Sequence, residues 1–205
     1  MNYKLIFFDL DGTLIKCKSS WELVHKRFGT LANAKKVLEE YQVGKISYEE
    51  FMAKDISSWL GKKKKIHINE IESLLSDYEL NNDAKEVISE LRRRGLKVII
   101  ITACINLLAE KVGRQLGVDV VLSNKLQLDD KGYLTGKGIE FVDLIKKDEL
   151  IKKVAKREHV ALQQTIAVGD TIYDINMLKA AGLGLFLGNT EDIKAHNIKA
   201  IHSLQ

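Results

Sequence analysis

The sequence contains no proline. A proline-rich linker or stiff extended spacer between domains is thereby excluded. Cysteine is almost as scarce, with Cys17 and Cys104 alone, and neither stands in a Cys/His spacing that binds zinc. A disulfide scaffold is excluded, and a thiol-reduced, cytoplasmic setting is the expectation. No stretch approaches the roughly 18 consecutive apolar residues of a membrane span. The first residues also lack the basic, apolar and cleavage regions of a secretory signal. Charge of one sign is missing too: 32 basic residues against 28 acidic ones leave a net charge of +4, too small to argue for nucleic acid. The densest basic spot, Lys62–Lys65, reads as a solvated turn before a helix. His25, His67, His159, His196 and His202 are scattered and form no ligand motif, so surface or boundary positions are expected for them.

The 205 residues that remain to be explained fall into two kinds of segment. Short β-branched apolar runs occur at 3–9 (YKLIFFD), 97–101 (KVIII), 119–123 (DVVLS), 165–168 (TIAV) and 183–187 (LGLFL). Such runs fit buried parallel strands. Most are followed by helical patterns, as in DAKEVISELRRRG, where Ala84, Val87, Ile88 and Leu91 share a face and Gly95 closes the segment. Alternation of this kind predicts an α/β fold with a doubly wound parallel sheet. The first strand is expected between the 97–101 and 165–168 strands.

The stretch 16–80 is different. Trp21, Val24, His25 and Phe28 share one helix face, and Ala34, Val37, Leu38 and Tyr41 share another. Ser47 with Glu50 reads as a capping box before a third helix, and Asn69 with Glu72 as the cap of a fourth. A four-helix insert is predicted here, its aromatic residues serving as bundle core rather than as a substrate cage. The division is therefore a core of 1–15 and 81–205 with an inserted helical cap of 16–80. Its place directly after the first strand brings it near the carboxyl ends of the sheet, where open α/β folds bind ligands.

That end of the sheet collects the chemistry. Asp9 and Asp11 follow the first strand, Thr102, Ala103 and Cys104 the second, Lys147 opens a helix, and Asp170 and Asp174 follow TIAVG. A buried, unpaired carboxylate is costly. Several carboxylates with a hydroxyl and an ammonium point to a metal ion and a phosphoryl group held together. Carboxylate oxygens suit Mg²⁺, while hydroxyl, ammonium and free backbone N–H groups suit phosphate oxygens.

These motifs resemble the haloacid dehalogenase superfamily of aspartate-nucleophile phosphohydrolases, and within it the phosphoserine phosphatase-like group. FFDLDGTL, IIITA with Thr102, Lys147 in KDELIKKVAKRE, and AVGDTIYDINML match its four motifs in order, and NKLQLDDKGYLTG resembles a hairpin of that group. The resemblance implies a Mg²⁺-dependent phosphatase acting on a small phosphomonoester, in a monomer or homodimer, with no nucleic-acid or membrane partner. It implies Asp9 as nucleophile and Asp11 as general acid, then base. It assigns the metal to the side chains of Asp9 and Asp170 and the backbone carbonyl of Asp11, with Asp174 behind them anchoring metal-bound water or orienting Lys147. Phosphate oxygens would meet Thr102, Lys147 and the N–H groups of Leu10, Asp11 and Ala103. A carboxylate attacking a phosphate dianion meets repulsion of about 4 kcal/mol per pair of unit charges at 4 Å and an effective dielectric of 20. A cation and Lys147 offset it.

Two departures from the pattern concern specificity. In phosphoserine phosphatases the cap supplies an acidic residue for the substrate ammonium and an arginine for its carboxylate. Here a gapless reading places Lys18 at the acidic position, with Glu22 one turn later, and the arginine region carries Lys54 and Asp55. Tyr173 replaces a small polar residue in the fourth motif. Lys18, Glu22, Asp55 and Tyr173 are the expected specificity residues, and the expected substrate is not phosphoserine. A phosphotransferase passing the same aspartyl phosphate to an acceptor alcohol is the alternative. A receiver-type signalling domain fits poorly, because its phosphoryl-accepting Asp follows the third strand and it lacks a helical insert. A dinucleotide-binding enzyme fits poorly for want of a G-x-G-x-x-G after the first strand.

Overall fold

The computed structural model describes residues 2–188 and 198–204. Its strands are β1 (Leu5–Phe8), β2 (Lys97–Ile105), β3 (Val120–Leu128), β4 (Leu134–Ile139), β5 (Thr165–Gly169), β6 (Leu183–Leu187) and β7 (Ile198–Ile201). They form one sheet in the order β4-β3-β2-β1-β5-β6-β7. Only the β3–β4 hairpin is antiparallel. β1 is buried at all four positions and lies between β2 and β5, as its unbroken apolar run requires. Its central place matters because it delivers Asp9 and Asp11 to the middle of the carboxyl edge of the sheet. The Asp9 N–H still donates to Val168 O at 2.9 Å, so the nucleophile candidate is anchored to the ladder.

Helices cover both faces: α5 (Ala84–Arg93) and α6 (Asn106–Leu116) on one, α7 (Lys147–Arg157) and α8 (Ile175–Ala180) on the other. One core cluster holds Ile6, Phe8, Val98 and Ile100 with Ile88 and Leu108; the opposite one holds Leu5, Phe7, Ile99 and Ile101 with Ile151 and Leu178. Successive strand residues alternate between the two, which is the period-2 geometry of a pleated strand buried on both sides. Burying each such side chain is worth about 1.5–3 kcal/mol.

Four helices intervene between β1 and α5: α1 (Ser20–Phe28), α2 (Leu31–Gln42), α3 (Tyr48–Lys62) and α4 (Ile68–Leu74). Ser19 caps α1 by accepting from the Glu22 N–H, and Gly29 closes it in the left-handed region at φ 66°. Ser47 and Glu50 form the expected capping box of α3. The expected Asn69/Glu72 cap does not form. Instead α4 starts at Ile68, and the His67 side chain accepts from the Asn69 N–H. The cause is tertiary: Ile68 N–H donates to Gly132 O and Leu134 N–H to Ile66 O, so the β3–β4 hairpin fixes the helix start two residues before the local cap signal.

Trp59 is fully buried at the centre of the helical layer, against Trp21, His25 and Phe28 at ring distances of 5.4, 5.3 and 6.4 Å. His25 is 1% exposed, contrary to the surface or boundary position expected for it. The same helix face that buries Val24 buries the imidazole. Across the layers, Tyr41 donates to Asp143 and Gln42 Nε2 donates to Tyr173 Oη at 2.7 Å. No helix among the described residues is long and apolar enough to cross a membrane.

Candidate active site

The turn after β1 is built so that backbone and carboxylates crowd together. Gly12 takes φ +89°, and a Cβ there would lie 2.2 Å from Asp170 Oδ2. Glycine is required by both the conformation and the space. Asn81 Nδ2 donates to the carbonyls of Gly12 and Thr13 at 2.9 and 2.7 Å and holds the turn from below. Thr13 Oγ1 donates to Asp170 Oδ1 at 2.9 Å, tying the loops after β1 and β5 to each other.

Lys147 is the hinge of the charge arrangement. Its Nζ lies 2.6 Å from Asp9 Oδ1 and 2.7 Å from Asp174 Oδ1, with all three side chains buried. Burial by itself would lower the ammonium, but Asp174 and Asp9 outweigh it and raise its pKa. Asp174 is fully committed: its other oxygen accepts from the Thr171 N–H and Oγ1 at 3.0 and 2.9 Å. Burial pushes the Asp9 carboxyl well above its ordinary range, against the pull of Lys147. Burial also raises Asp11, whose Oδ2 accepts from the Ser20 N–H at 2.7 Å while its Oδ1 has no partner among the described residues. Asp11 thus lines a cavity with this one carboxylate oxygen unpartnered.

Thr102 is buried inside β2, where its Oγ1 accepts from the Cys104 N–H at 3.1 Å. Ala103 turns its carbonyl toward the helical layer and receives Trp21 Nε1 at 2.9 Å and Asn124 Nδ2 at 3.3 Å. Cys104 is a buried thiol, pushed well up by desolvation, and it lines the cavity beside Asp11.

A cavity of about 560 Å³ joins these groups to the helical layer. Asp9, Asp11, Thr102, Ala103 and Lys147 form its floor, and Trp21, Leu31, Leu38, Tyr48 and Phe51 its walls. The aromatic residues therefore divide: Trp59 is core, whereas Trp21, Tyr48 and Phe51 also face the cavity. All four expected specificity residues, Lys18, Glu22, Asp55 and Tyr173, border it. Lys18 reaches across to the loop after β5, its Nζ 2.9 Å from Asp170 Oδ2. Glu22 pairs with Lys26 at 2.7 Å. Ser20, Thr13, Asn124 and His25 also shape the site without having been singled out for it, although Thr13 lies inside FFDLDGTL, Asn124 opens NKLQLDDKGYLTG and His25 shares the apolar face of its helix.

The donor set suits a hard divalent cation. One oxygen from each of Asp9, Asp170 and Asp174 lies within 4.8 Å of the others. Oxygen-only donors of this kind match Mg²⁺, and a cation beside Asp9 would oppose the rise in pKa that burial imposes.

Comparison with known proteins places this geometry. The haloacid dehalogenase-like hydrolase model matches residues 6–179. A phosphoserine phosphatase of Methanocaldococcus jannaschii is 34% identical over 182 residues, covering 88% of this chain and 83% of the relative. One of Archaeoglobus fulgidus is 28% identical; the match covers 93% of this chain but only 54% of that longer protein. Among solved structures, a phospho-aspartyl intermediate analogue of phosphoserine phosphatase superposes with a TM-score of 0.74 at 32% identity, covering 91% of this chain and 87% of that one. The chain belongs to the haloacid dehalogenase-like hydrolase family, as a phosphatase of its phosphoserine phosphatase-like group.

Proposed function

We propose that the chain is a Mg²⁺-dependent phosphatase that hydrolyses a small phosphomonoester through an aspartyl phosphate at Asp9, without selectivity for phosphoserine. The observation that carries this reading is the shared cavity floor: Asp9, Asp11, Thr102 and Lys147 converge there from three separate elements. In this reading residues 16–80 are a cap over a catalytic core of 1–15 and 81–205.

Asp9 is the nucleophile. Its carboxylate forms a bond to phosphorus as the bond from phosphorus to the ester oxygen breaks. Asp11 gives its proton to the departing alkoxide, then takes one from a water that attacks phosphorus, freeing Asp9 and inorganic phosphate. The raised pKa of Asp11 favours the protonated start that the first half requires. Lys147 and Thr102, with the N–H groups of Leu10, Asp11 and Ala103, hold the phosphoryl oxygens. Asp174 keeps Lys147 in place. Asp9, Asp170 and the Asp11 carbonyl, with Asp174 behind them, would hold the metal ion, which would supply positive charge against the phosphate dianion.

The loss of phosphoserine selectivity is supported by the cavity's charges. No arginine lines it among the described residues, and a bidentate carboxylate fork is what lysine replaces poorly. Lys18, at the position read as the ammonium binder, carries the wrong sign for an ammonium.

Phosphate release from a panel including phosphoserine and p-nitrophenyl phosphate, with Mg²⁺, with EDTA and in Asp9→Asn, tests the proposal. Release that needs Mg²⁺ and disappears in Asp9→Asn is expected. Release surviving Asp9→Asn removes the assigned nucleophile, and efficient, selective hydrolysis of phosphoserine removes the specificity claim.

A further inference from the structure

Asp55 is the one acidic side chain in the interior of α3 that is fully buried, and its surroundings do not account for it. It borders the cavity that contains Asp9 and Asp11. Its side chain is 2% exposed, and its Oδ1 has no hydrogen-bond partner among the described residues. Its Oδ2 lies 3.2 Å from His25 Nε2, close but without hydrogen-bond alignment. A buried acceptor without a donor is a cost that native structures avoid unless something else meets it.

The neighbouring imidazole does not meet it. His25 Nδ1 lies 3.0 Å from Trp59 Nε1, and an indole N–H can only donate. Nδ1, which also lies 2.8 Å from Thr30 Oγ1, therefore accepts, and the imidazole turns its Nε2 edge to Asp55 Oδ2, leaving Oδ1 unmet. Lys54, next in sequence, is turned away onto Glu40 at 2.6 Å. Trp21, Leu38, Tyr48 and Phe51 line the same cavity, with Lys35 of α2 and Glu22 of α1 as further charged groups of the helical layer that border it. An acceptor set in an aromatic surround takes a donor, and such a surround also favours a cation. The Asp55 carboxylate itself disfavours a second carboxylate placed against it.

We propose that the far end of the cavity is a subsite for a hydrogen-bond donor carried by the leaving alcohol, a hydroxyl or an ammonium, received by the free oxygen of Asp55. The inference rests on the phosphatase reading above and adds to it the chemistry of the alcohol. Phosphomonoesters of amino-alcohols or diols belong to this class, whereas those of hydroxy acids without a further donor do not.

The test uses matched alkyl phosphates of two to four carbons ending in methyl, hydroxyl, ammonium or carboxylate. Two readouts are taken with Mg²⁺: kcat/KM for the wild-type chain, and Kd of each intact ester for Asp9→Asn by calorimetry. At the best chain length a donor-ended ester is expected to exceed its methyl-ended counterpart by about tenfold, and the carboxylate-ended ester to fall below it. In Asp55→Ala the donor preference and the carboxylate penalty should both shrink to within about threefold. Hydroxyl and ammonium arms tell a neutral donor from a cation; either supports the subsite. Methyl- or carboxylate-ended esters that match the donors in wild type overturn it, as does a preference unchanged in Asp55→Ala or binding of no ester at all. If Asp55→Ala does not fold, as judged by circular dichroism, the wild-type ranking decides. If no ester is hydrolysed but the Kd ranking favours donors, the phosphatase reading fails and the subsite stands.

Discussion

Lys18 Nζ sits 2.9 Å from Asp170 Oδ2, so a largely exposed lysine of the helical insert neutralises a carboxylate of the proposed metal site. The same Asp170 holds the Thr13 hydroxyl on its other oxygen. A lysine in that place competes with any cation that Asp170 helps to bind. Lys18→Ala is therefore expected to tighten Mg²⁺ binding about two- to fivefold, as suits a solvent-screened pair. Isothermal titration at low salt checks it, and the gain should shrink as ionic strength rises. Unchanged or weaker binding in Lys18→Ala would show that the contact does not compete.

Lys147 has the opposite character, since it is enclosed by the two carboxylates it serves. Removing it leaves Asp9 and Asp174 buried without their shared cation. Lys147→Ala should cost about 3–5 kcal/mol of stability. For a chain of this size that lowers the melting temperature by roughly 10 °C. Activity should fall by at least about 100-fold, because charge stabilisation at the phosphoryl group goes with it. Scanning calorimetry and phosphate release together check both. A variant with normal melting would mean that the carboxylates do not depend on Lys147.

Much of this arrangement could be read before any coordinates. The five apolar runs, the helical insert and the motif residues at strand ends follow from local patterns, and the sheet order β2-β1-β5 agrees with expectation. What escaped was set by distant contacts. β7 is a four-residue edge strand whose one-sided pairing with β6 leaves little pattern in sequence. β2 runs on to Ile105, beyond the apolar run, across a register irregularity that places Thr102, Ala103 and Cys104 within the strand. Asp55 is expected as a specificity residue and His25 at a surface or boundary position, yet both are buried where α1 packs on α3, a contact that no local pattern encodes. Asn124 looks like a hairpin residue, yet it is buried with Oδ1 receiving the N–H groups of Phe141 and Val142, both at 2.8 Å.

Asp11→Asn should separate leaving-group protonation from nucleophilic attack. An alkyl ester needs its departing oxygen protonated, whereas p-nitrophenolate leaves without help. Loss of general acid catalysis is worth about 10²–10⁴ in rate. The variant should therefore lose that much on alkyl phosphates and substantially less in aspartyl-phosphate formation from p-nitrophenyl phosphate. Rapid-quench measurement of the first turnover checks this, because the second half-reaction also uses Asp11. Equal losses on both esters would assign the proton to another group.

Asp55 also leaves a mark on stability, through proton linkage. Burial raises its carboxyl pKa, and the His25 ring beside it pulls only part of the way back. Tyr48, the other titratable side chain facing it, is pushed well above its own ordinary value and stays neutral over the range concerned. The folded chain thus binds the Asp55 proton more tightly than the unfolded chain does. In the window above about pH 4, where an ordinary Asp ionises, the unfolded state releases this proton first. The Asp55 contribution to stability then falls as pH rises, until the folded-state pKa is passed, and is constant beyond it. Asp55→Asn removes that fall while keeping the size of the side chain. The melting temperature of Asp55→Asn minus that of the wild-type chain should therefore become more positive between pH 4 and pH 7, with other carboxylates cancelling in the difference. Scanning calorimetry in matched buffers measures it. A difference that is flat with pH, or that moves the other way, would mean that Asp55 is not held in the desolvated environment on which the donor subsite depends.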